Sequence, residues 1–525
     1  MNLRYLYHAI RISMCVLLLL LGFYPTSMAS AVPVTSTAPC ESLLKLQLPH
    51  TTITVAKSET GESYRPPAWD VKGPPQPSTN DLPPFCRVAA DIQPTPDSNI
   101  KIEVWMPVTG WNGKFEGVGN GGWSGQVWYP FMGLALRKGY ATASTDTGHQ
   151  GTGEDANFAM GHPEKIVDFG YRAVHEMTIK ARAIVTAYYG GPPKFSYWDG
   201  CSSGGKQGLK EAQRFPNDYD GIIAGAPANN WTHLLASGVW IAQSNHNGEA
   251  VVLSNDNLAL LHRAALDSCD LLDGLKDGLI SNPPDCHFDP GKLLCKGTDR
   301  FVCLTHPQVE AAEKIYAGPT NPRTGEQVFP GLEPGSELGW FIFGSLPEPP
   351  IVASHFKYLV FDDPAWDFRK LNFDADISLA DKLDNGVITA TDPDLRKFFA
   401  HGGKLILYHG WSDPMISPQN TISYYKNVLN SSGSQAEASI RLFMAPGMDH
   451  CGGGEGPFAF DMDGALSQWV EQDKAPALIV AAHLLADPAA HAQDRTRPLC
   501  AYPGVAKYKG TGSIDDASNF YCLKQ

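Results

Sequence analysis

Three side chains have the types and the chain order of a nucleophile, an orienting acid and a base. Ser202 stands at the centre of Gly200-Cys201-Ser202-Ser203-Gly204, a Gly-x-Ser-x-Gly run. An extended-looking stretch at 194–197 leads in, and 206–212 reads as a helix leading out. Strand, glycine-flanked serine and helix describe a sharp turn that exposes the serine hydroxyl. The flanking glycines leave room where Cβ atoms would collide with the neighbouring strand and helix. A serine hydroxyl at neutral pH is a poor nucleophile and needs a base, itself held by an acid. Asp413, in Gly410-Trp411-Ser412-Asp413-Pro414, follows the strand-like run 404–409. His450, in Pro446-Gly447-Met448-Asp449-His450-Cys451, follows the strand-like run 440–445. Serine, acid and histidine in that order, each after a strand, suit acyl transfer. Rival assignments are that Asp413 only caps a turn, or that His409, His401 or Asp449 takes one of the roles. Cys201 as a thiol nucleophile is a further rival, weakened by its place off the tip of the turn.

Acyl transfer passes through an oxyanion that needs backbone donors. The N–H of Ser203, next to the nucleophile, supplies one. Gly119-Asn120-Gly121-Gly122-Trp123, after the strand-like run 114–119, offers the second, with Gly122 favoured and Gly121 next. A simple hairpin turn is the competing reading of that loop. If Ser202 and His450 share a hydrogen bond of about 3 Å, their neighbours Cys201 and Cys451 come within the roughly 4.4–6.8 Å that a disulfide spans. Such a bridge would staple the two halves of the site together.

The elements that must position these groups alternate between strand and helix. Strand-like runs at 101–108, 114–119 and 140–146 precede a helical pattern at 165–189, and a buried strand at 219–227 follows the serine. Alternation of this kind predicts an α/β fold, a mostly parallel sheet covered on both faces. The pattern breaks between 229 and 400, where prolines, cysteines and aromatics such as Trp340, Phe343, Phe356 and Phe368 crowd together. That stretch reads as a large inserted lid domain between two halves of a catalytic domain, 32–228 and 401–525. Residues 32–100, rich in Pro, Ser and Thr, are expected to wrap over the surface, with Cys40 and Cys86 as a staple.

Composition bounds the function. With 43% hydrophobic and 18% charged residues in 525, a sizeable core can be buried. A formal charge of −14 leaves no basic face for nucleic acid. Arg4 and Arg11 precede the apolar run 14–21, and Ala29-Ser30-Ala31 has the small-residue pattern of a cleavage site. Residues 1–31 therefore read as a signal peptide, an uncleaved anchor being disfavoured by the shortness of the run. The expected product is secreted or periplasmic, with no membrane partner once the signal is removed. Of eleven cysteines, ten remain after Cys15 leaves with the signal, an even number that favours five disulfides in an exported chain. Counting assigns no partners, though Cys269/Cys286, Cys295/Cys303 and Cys500/Cys522 are close pairs. Asp270, Asp273 and Asp277 share a short Gly-containing loop whose oxygens suit either Ca²⁺ or an acidic solvated turn.

Cys-Ser-x-Gly-Gly, Ser-Asp-Pro and Asp-His-Cys together resemble the tannase and feruloyl esterase family, which includes the hydrolase of mono(2-hydroxyethyl) terephthalate. The resemblance covers nearly the whole mature chain. It implies an α/β-hydrolase fold and a secreted serine esterase of aromatic acids, with a Ser202–His450–Asp413 triad and a small aromatic ester as substrate. It also implies disulfides Cys201–Cys451, Cys40–Cys86, Cys269–Cys286, Cys295–Cys303 and Cys500–Cys522. A structural Ca²⁺ is implied on the side chains of Asp270, Asp273 and Asp277 and the carbonyls of Leu275 and Leu279, with no catalytic cofactor. Feruloyl, galloyl and terephthaloyl monoesters are all open as substrates; a serine carboxypeptidase and a non-catalytic binding module are the more distant readings.

Overall fold

A nine-stranded sheet organises the computed structural model, which describes residues 36–66, 79–297, 302–485 and 493–524. The expected signal peptide lies outside the described residues. In chain order the strands are β1 (Thr51–Glu59), β2 (Phe85–Ile92), β3 (Ile100–Pro107), β4 (Lys114–Val118), β5 (Ala141–Thr145), β6 (Phe195–Cys201), β7 (Gly221–Gly225), β8 (Lys404–Gly410) and β9 (Ile440–Ala445). In space they run β1-β2-β3-β5-β4-β6-β7-β8-β9, antiparallel as far as β5 and parallel from there to β9. The fold is therefore α/β with a mostly parallel sheet.

The helices that matter here are α1 (Tyr129–Arg137), α2 (Ala173–Tyr189), α3 (Ser203–Arg214), α4 (Trp231–Ser244), α5 (Asn255–Cys269), α6 (Pro418–Glu437) and α7 (Met462–Gln472). Period-two alternation along each strand divides the apolar side chains between two layers. Ile222, Leu405, Leu407 and Leu442 join Met177 and Ile184 of α2 and Val428 of α6 in one core. Their strand neighbours Ile223, Ile406 and Phe443 join Ala135 of α1 and Leu466 and Trp469 of α7 in another. Each such side chain removed from water contributes about 1.5–3 kcal/mol before chain entropy is subtracted, and the two layers leave the sheet buried on both faces.

The expectation that residues 32–100 only wrap the surface is not met. Both β1 and β2 extend the sheet, and Cys86, Val88, Ala90 and Ile92 of β2 are 1% exposed or less. Cys40, in the short turn of helix Cys40–Lys45, is tied to β2 through Cys86. The stretch between β7 and β8 builds its own core from Leu235, Leu261, Trp340, Phe343 and Phe356, joined by Trp123, Phe158 and Phe169 from the sheet side. Sharing that core makes Val34–Gln525 one compact unit.

Candidate active site

Ser202 sits where β6 gives way to α3, at φ 62° and ψ −122°. An L residue resists this region, and three main-chain bonds hold it there. Its N–H donates to the Gly225 carbonyl (2.9 Å), and its own carbonyl accepts from Lys206 (3.0 Å) and Ala228 (3.0 Å). A Cβ at Gly200 would lie 2.5 Å from the Gly204 backbone, and one at Gly119 would lie 2.5 Å from Gly204 Cα. The serine turn thus presses against both α3 and the loop after β4, and only glycines permit that approach.

Asp413 and His450 come from the loops after β8 and β9. Asp413 is fully buried, and each carboxylate oxygen takes two donors. Oδ1 accepts the N–H groups of Met415 (2.8 Å) and Ile416 (3.0 Å). Oδ2 accepts from His450 Nδ1 (2.7 Å) and from His409 Nε2 (3.0 Å). Burial pushes this carboxyl up, but the electrostatic pull of His450 and the bonds from both histidines outweigh it and hold it well below the usual carboxylate range. With Nδ1 committed to Asp413, His450 has Nε2 left for the serine hydroxyl, and both residues line one cavity. Asp413, not Asp449, meets the imidazole, and His401 is exposed to solvent.

Sequence reasoning treated His409 only as a rival for another role. Here it is wholly buried and belongs to the acid. Its Nδ1 lies 2.7 Å from the Thr421 hydroxyl, and its Nε2 lies 3.0 Å from both Asp413 and the Ile416 carbonyl. Two acceptors on Nε2 place the proton there and make Nδ1 the acceptor of the Thr421 O–H.

Neither Ser203 N–H nor Gly122 N–H donates to any described group, so both remain available to an oxyanion. Gly122 has φ +55°, and a Cβ on it would lie 2.2 Å from the Gly153 carbonyl. The Ser203 hydroxyl donates to the Gly122 carbonyl at 2.6 Å, tying the two donors' residues together. No pattern in the sequence signalled that bond. Trp123 N–H is spent on Gly153 (2.7 Å), which removes it as a donor, while its indole reaches the Ile351 carbonyl of the inserted segment at 2.8 Å.

A cavity of about 350 Å³ opens over these groups. Its aromatic walls, Trp128, Phe131 and Tyr408, come from the sheet portion, and Ile351 is the inserted segment's contribution. Trp340, Phe343, Phe356 and Phe368 are instead buried in the second core. Beneath the site Cys201 and Cys451 are bonded, with Cα atoms 5.9 Å apart and 250 residues between them. The other cysteines pair as Cys40–Cys86, Cys269–Cys286, Cys295–Cys303 and Cys500–Cys522.

The acidic loop lies away from the cavity. Asp270 accepts the N–H groups of Asp277 (3.1 Å) and Gly278 (3.0 Å), and Asp273 accepts those of Leu275 (2.9 Å) and the Ser281 hydroxyl (2.7 Å). Asp277 accepts the N–H of Leu279 (3.2 Å) and pairs with buried Arg497. The carbonyls of Leu275 and Leu279 take no hydrogen bond from the described residues.

Comparison with known proteins adds a lineage to this geometry. The family model described as tannase and feruloyl esterase matches residues 86–523. An uncharacterized esterase of Xanthomonas campestris pv. campestris is 40% identical, over 93% of this chain and 92% of its own. A probable feruloyl esterase B-1 of Aspergillus flavus is 32% identical over 83% of this chain and 86% of its own. The crystal structure of feruloyl esterase B from Aspergillus oryzae matches with a TM-score of 0.85 at 30% identity, covering 92% of this chain and 99% of that one. The tannin acyl hydrolase of Aspergillus niger shares the fold, with a TM-score of 0.75 at 21% identity over 92% and 94%. A strained serine, a doubly held aspartate and a histidine on one cross-linked floor are thus set in a chain that belongs to the tannase and feruloyl esterase family.

Proposed function

We propose that this chain is an exported serine carboxylic ester hydrolase that cleaves esters of aromatic acids through an acyl-enzyme, of feruloyl esterase or tannase type. The observation that carries the reading is the His450 imidazole bonded to buried Asp413 at 2.7 Å in the cavity that Ser202 lines. Ser202 attacks the ester carbonyl while His450 takes its proton, and the negative charge of Asp413 stabilises the imidazolium that forms. The N–H groups of Ser203 and Gly122 receive the oxyanion. His450 returns the proton to the departing alcohol, and water repeats the sequence to release the acid.

The aromatic acyl group is supported by the names of the A. flavus and A. oryzae relatives and by the walls Trp128, Phe131 and Tyr408. A terephthalate monoester and a peptide C-terminus both bring a carboxylate. The cavity meets it with Glu154 and with no lysine or arginine among its lining residues, which disfavours both substrates. Labelling by a fluorophosphonate that is lost in Ser202→Ala, with faster turnover of methyl ferulate or methyl gallate than of a terephthalate monoester, is the expected result. Labelling that survives the substitution would refute the nucleophile.

Export is supported by the five disulfides and by the signal-like residues 1–31. No helix among the described residues is long and apolar enough to cross a membrane. A structural Ca²⁺ in the acidic loop is supported by three oriented carboxylates and the two free carbonyls of Leu275 and Leu279. The three carboxylates do not all lie within 4.8 Å of one another, so an ion would draw the loop inward. Lys507 donates to the Asp273 carbonyl at 3.1 Å, so the loop also braces the C-terminal residues. Calcium added to chelator-treated protein should raise Tm by a few degrees, with the increment lost in Asp270→Asn. An unchanged Tm would leave the loop an acidic turn.

A further inference from the structure

One half-buried carboxyl of the catalytic cavity has no hydrogen-bond partner among the described residues and no part in the chemistry above. Asp199 lies in β6 three residues before Ser202, half-buried, and lines the same cavity as Ser202 and His450. Its carboxylate makes no hydrogen bond to the described residues. Behind it stand Glu116 of β4 and Asp463 of α7, with carboxylate oxygens of all three within 4.8 Å of one another. Glu116 is 3% exposed and its side chain also makes no hydrogen bond among the described residues. Lys138 pairs with Asp463 and approaches Asp461 at 3.7 Å, so its charge is engaged by those two carboxylates and makes no pair with Asp199. The phenol groups facing the cluster are those of Tyr408 and Tyr140.

Crowding of this kind decides the state of Asp199. Burial, with the Asp463 charge added, pushes its carboxyl up to about 8, only partly opposed by Lys138. Burial likewise pushes Glu116 well above the ordinary range. At neutral pH Asp199 is therefore a carboxylic acid, which offers an O–H donor beside a carbonyl acceptor. An aromatic ring bearing a hydroxyl, with or without a neighbouring methoxy oxygen, presents the complementary donor and acceptor. By the rise of a strand residue 199 lies at most about 10 Å from Ser202, which stands in the turn just beyond β6, a separation that an extended hydroxycinnamoyl group is long enough to bridge. A galloyl group is shorter by its missing vinyl unit.

We propose that Asp199 is a specificity residue of the acyl pocket, hydrogen-bonding the ring hydroxyl of a hydroxycinnamoyl ester whose carbonyl is at Ser202. This rests on the esterase reading above and narrows it to hydroxycinnamates.

The test compares kcat/KM for methyl 4-hydroxycinnamate and methyl cinnamate, using the full chain. Wild type should favour the hydroxylated ester at least about tenfold. In Asp199→Leu the ratio should fall toward one, and in Asp199→Asn, which keeps a donor and an acceptor in the same outline, most of it should survive. A wild type without the preference overturns the proposal, as does a preference undiminished in Asp199→Leu. If the leucine variant does not fold, the pH course decides. The wild-type preference should change as pH passes about 8, and that change should vanish in Asp199→Asn; identical courses overturn the proposal. A wild type that hydrolyses p-nitrophenyl acetate but neither cinnamate would instead show that the aromatic-acyl reading has failed.

Discussion

Asp413 takes a donor from each of two imidazoles, and the two have different consequences. His450 is the partner that must gain and lose a proton; His409, sealed against Thr421 and Ile416, fixes where the carboxylate points. Replacing Asp413 by Asn presents an amide where an acceptor is needed and stabilises the wrong tautomer, which should lower kcat by about 10⁴. His409→Leu leaves Oδ2 one donor short and frees the carboxylate to turn. We expect kcat to fall about tenfold or more with KM little changed, and His409→Gln, which can still donate, to lose less. Steady-state kinetics on one ester checks this, and equal losses in the two variants would reduce His409 to a packing residue. Ser202, Asp413 and His450 were legible in the sequence because each stands in a short motif directly after a strand-like run. His409 was not, because its bond to Asp413 closes across the loop that leaves β8, a geometry with no repeat spacing to read.

The loop after β4 is an element built around one backbone position. Gly122 has φ +55°, and any Cβ there meets the Gly153 carbonyl at 2.2 Å. Gly122→Ala must therefore move the peptide that carries the proposed oxyanion donor, and removal of such a donor lowers kcat about 10²–10³-fold. Intact Tm with reduced kcat would locate the effect in the site. His262 of α5 bridges buried Glu337 (2.9 Å) and Glu455 (2.9 Å), the latter in the loop that carries His450. Burial opposes the charge on His262, but the two carboxylates raise it to about 9. Its stabilisation is complete below the unfolded imidazole's range and is lost as pH rises through about 9. His262→Ala removes the imidazolium beside buried Glu337, which keeps the Tyr316 hydroxyl (2.6 Å) and the Gly335 N–H (2.9 Å) as donors, and should remove about 1.5–3 kcal/mol of stability, read as a Tm deficit at pH 7 that narrows toward pH 10. A deficit constant across that range would mean the bridge is uncharged. Sheet strands from β3 onward were visible as alternating or apolar runs. Both β1 and β2 were not, because the prolines, serines and threonines around them dominate the composition of 32–100, although Cys86, Val88, Ala90 and Ile92 do alternate.

Across the whole molecule, the catalytic groups are separated by the inserted segment, and one disulfide closes that 250-residue loop. By chain entropy alone such a closure contributes about 5 kcal/mol, so the site's two halves are joined most strongly where the chemistry occurs. Stability then depends on groups the fold has buried without partners. Among the described residues neither ring nitrogen of His149 or His355 has a hydrogen-bond partner, and burial lowers both to about 4. The unfolded chain takes up their protons first as pH falls below about 6.5, so stability is lost on that side as pH drops through about 4. Asp146, at the end of β5, has the opposite sign. Its Oδ1 accepts from Lys101 and Gly148 (2.9 Å each), its Oδ2 has no partner, and burial raises it to about 7. Its contribution is complete below the unfolded carboxyl's range and fades as pH rises through about 7. The two limbs overlap between about pH 4 and 7, so the Asp146 limb is read from the difference between wild type and a variant that cannot ionise. Calorimetry from pH 4 to 9 should show the wild type losing Tm relative to Asp146→Asn as pH rises through about 7, since the amide keeps the acceptor for Lys101 and Gly148 but cannot ionise. A difference between the two proteins that does not change with pH would mean that Asp146 ionises freely and that water reaches the sheet beside it.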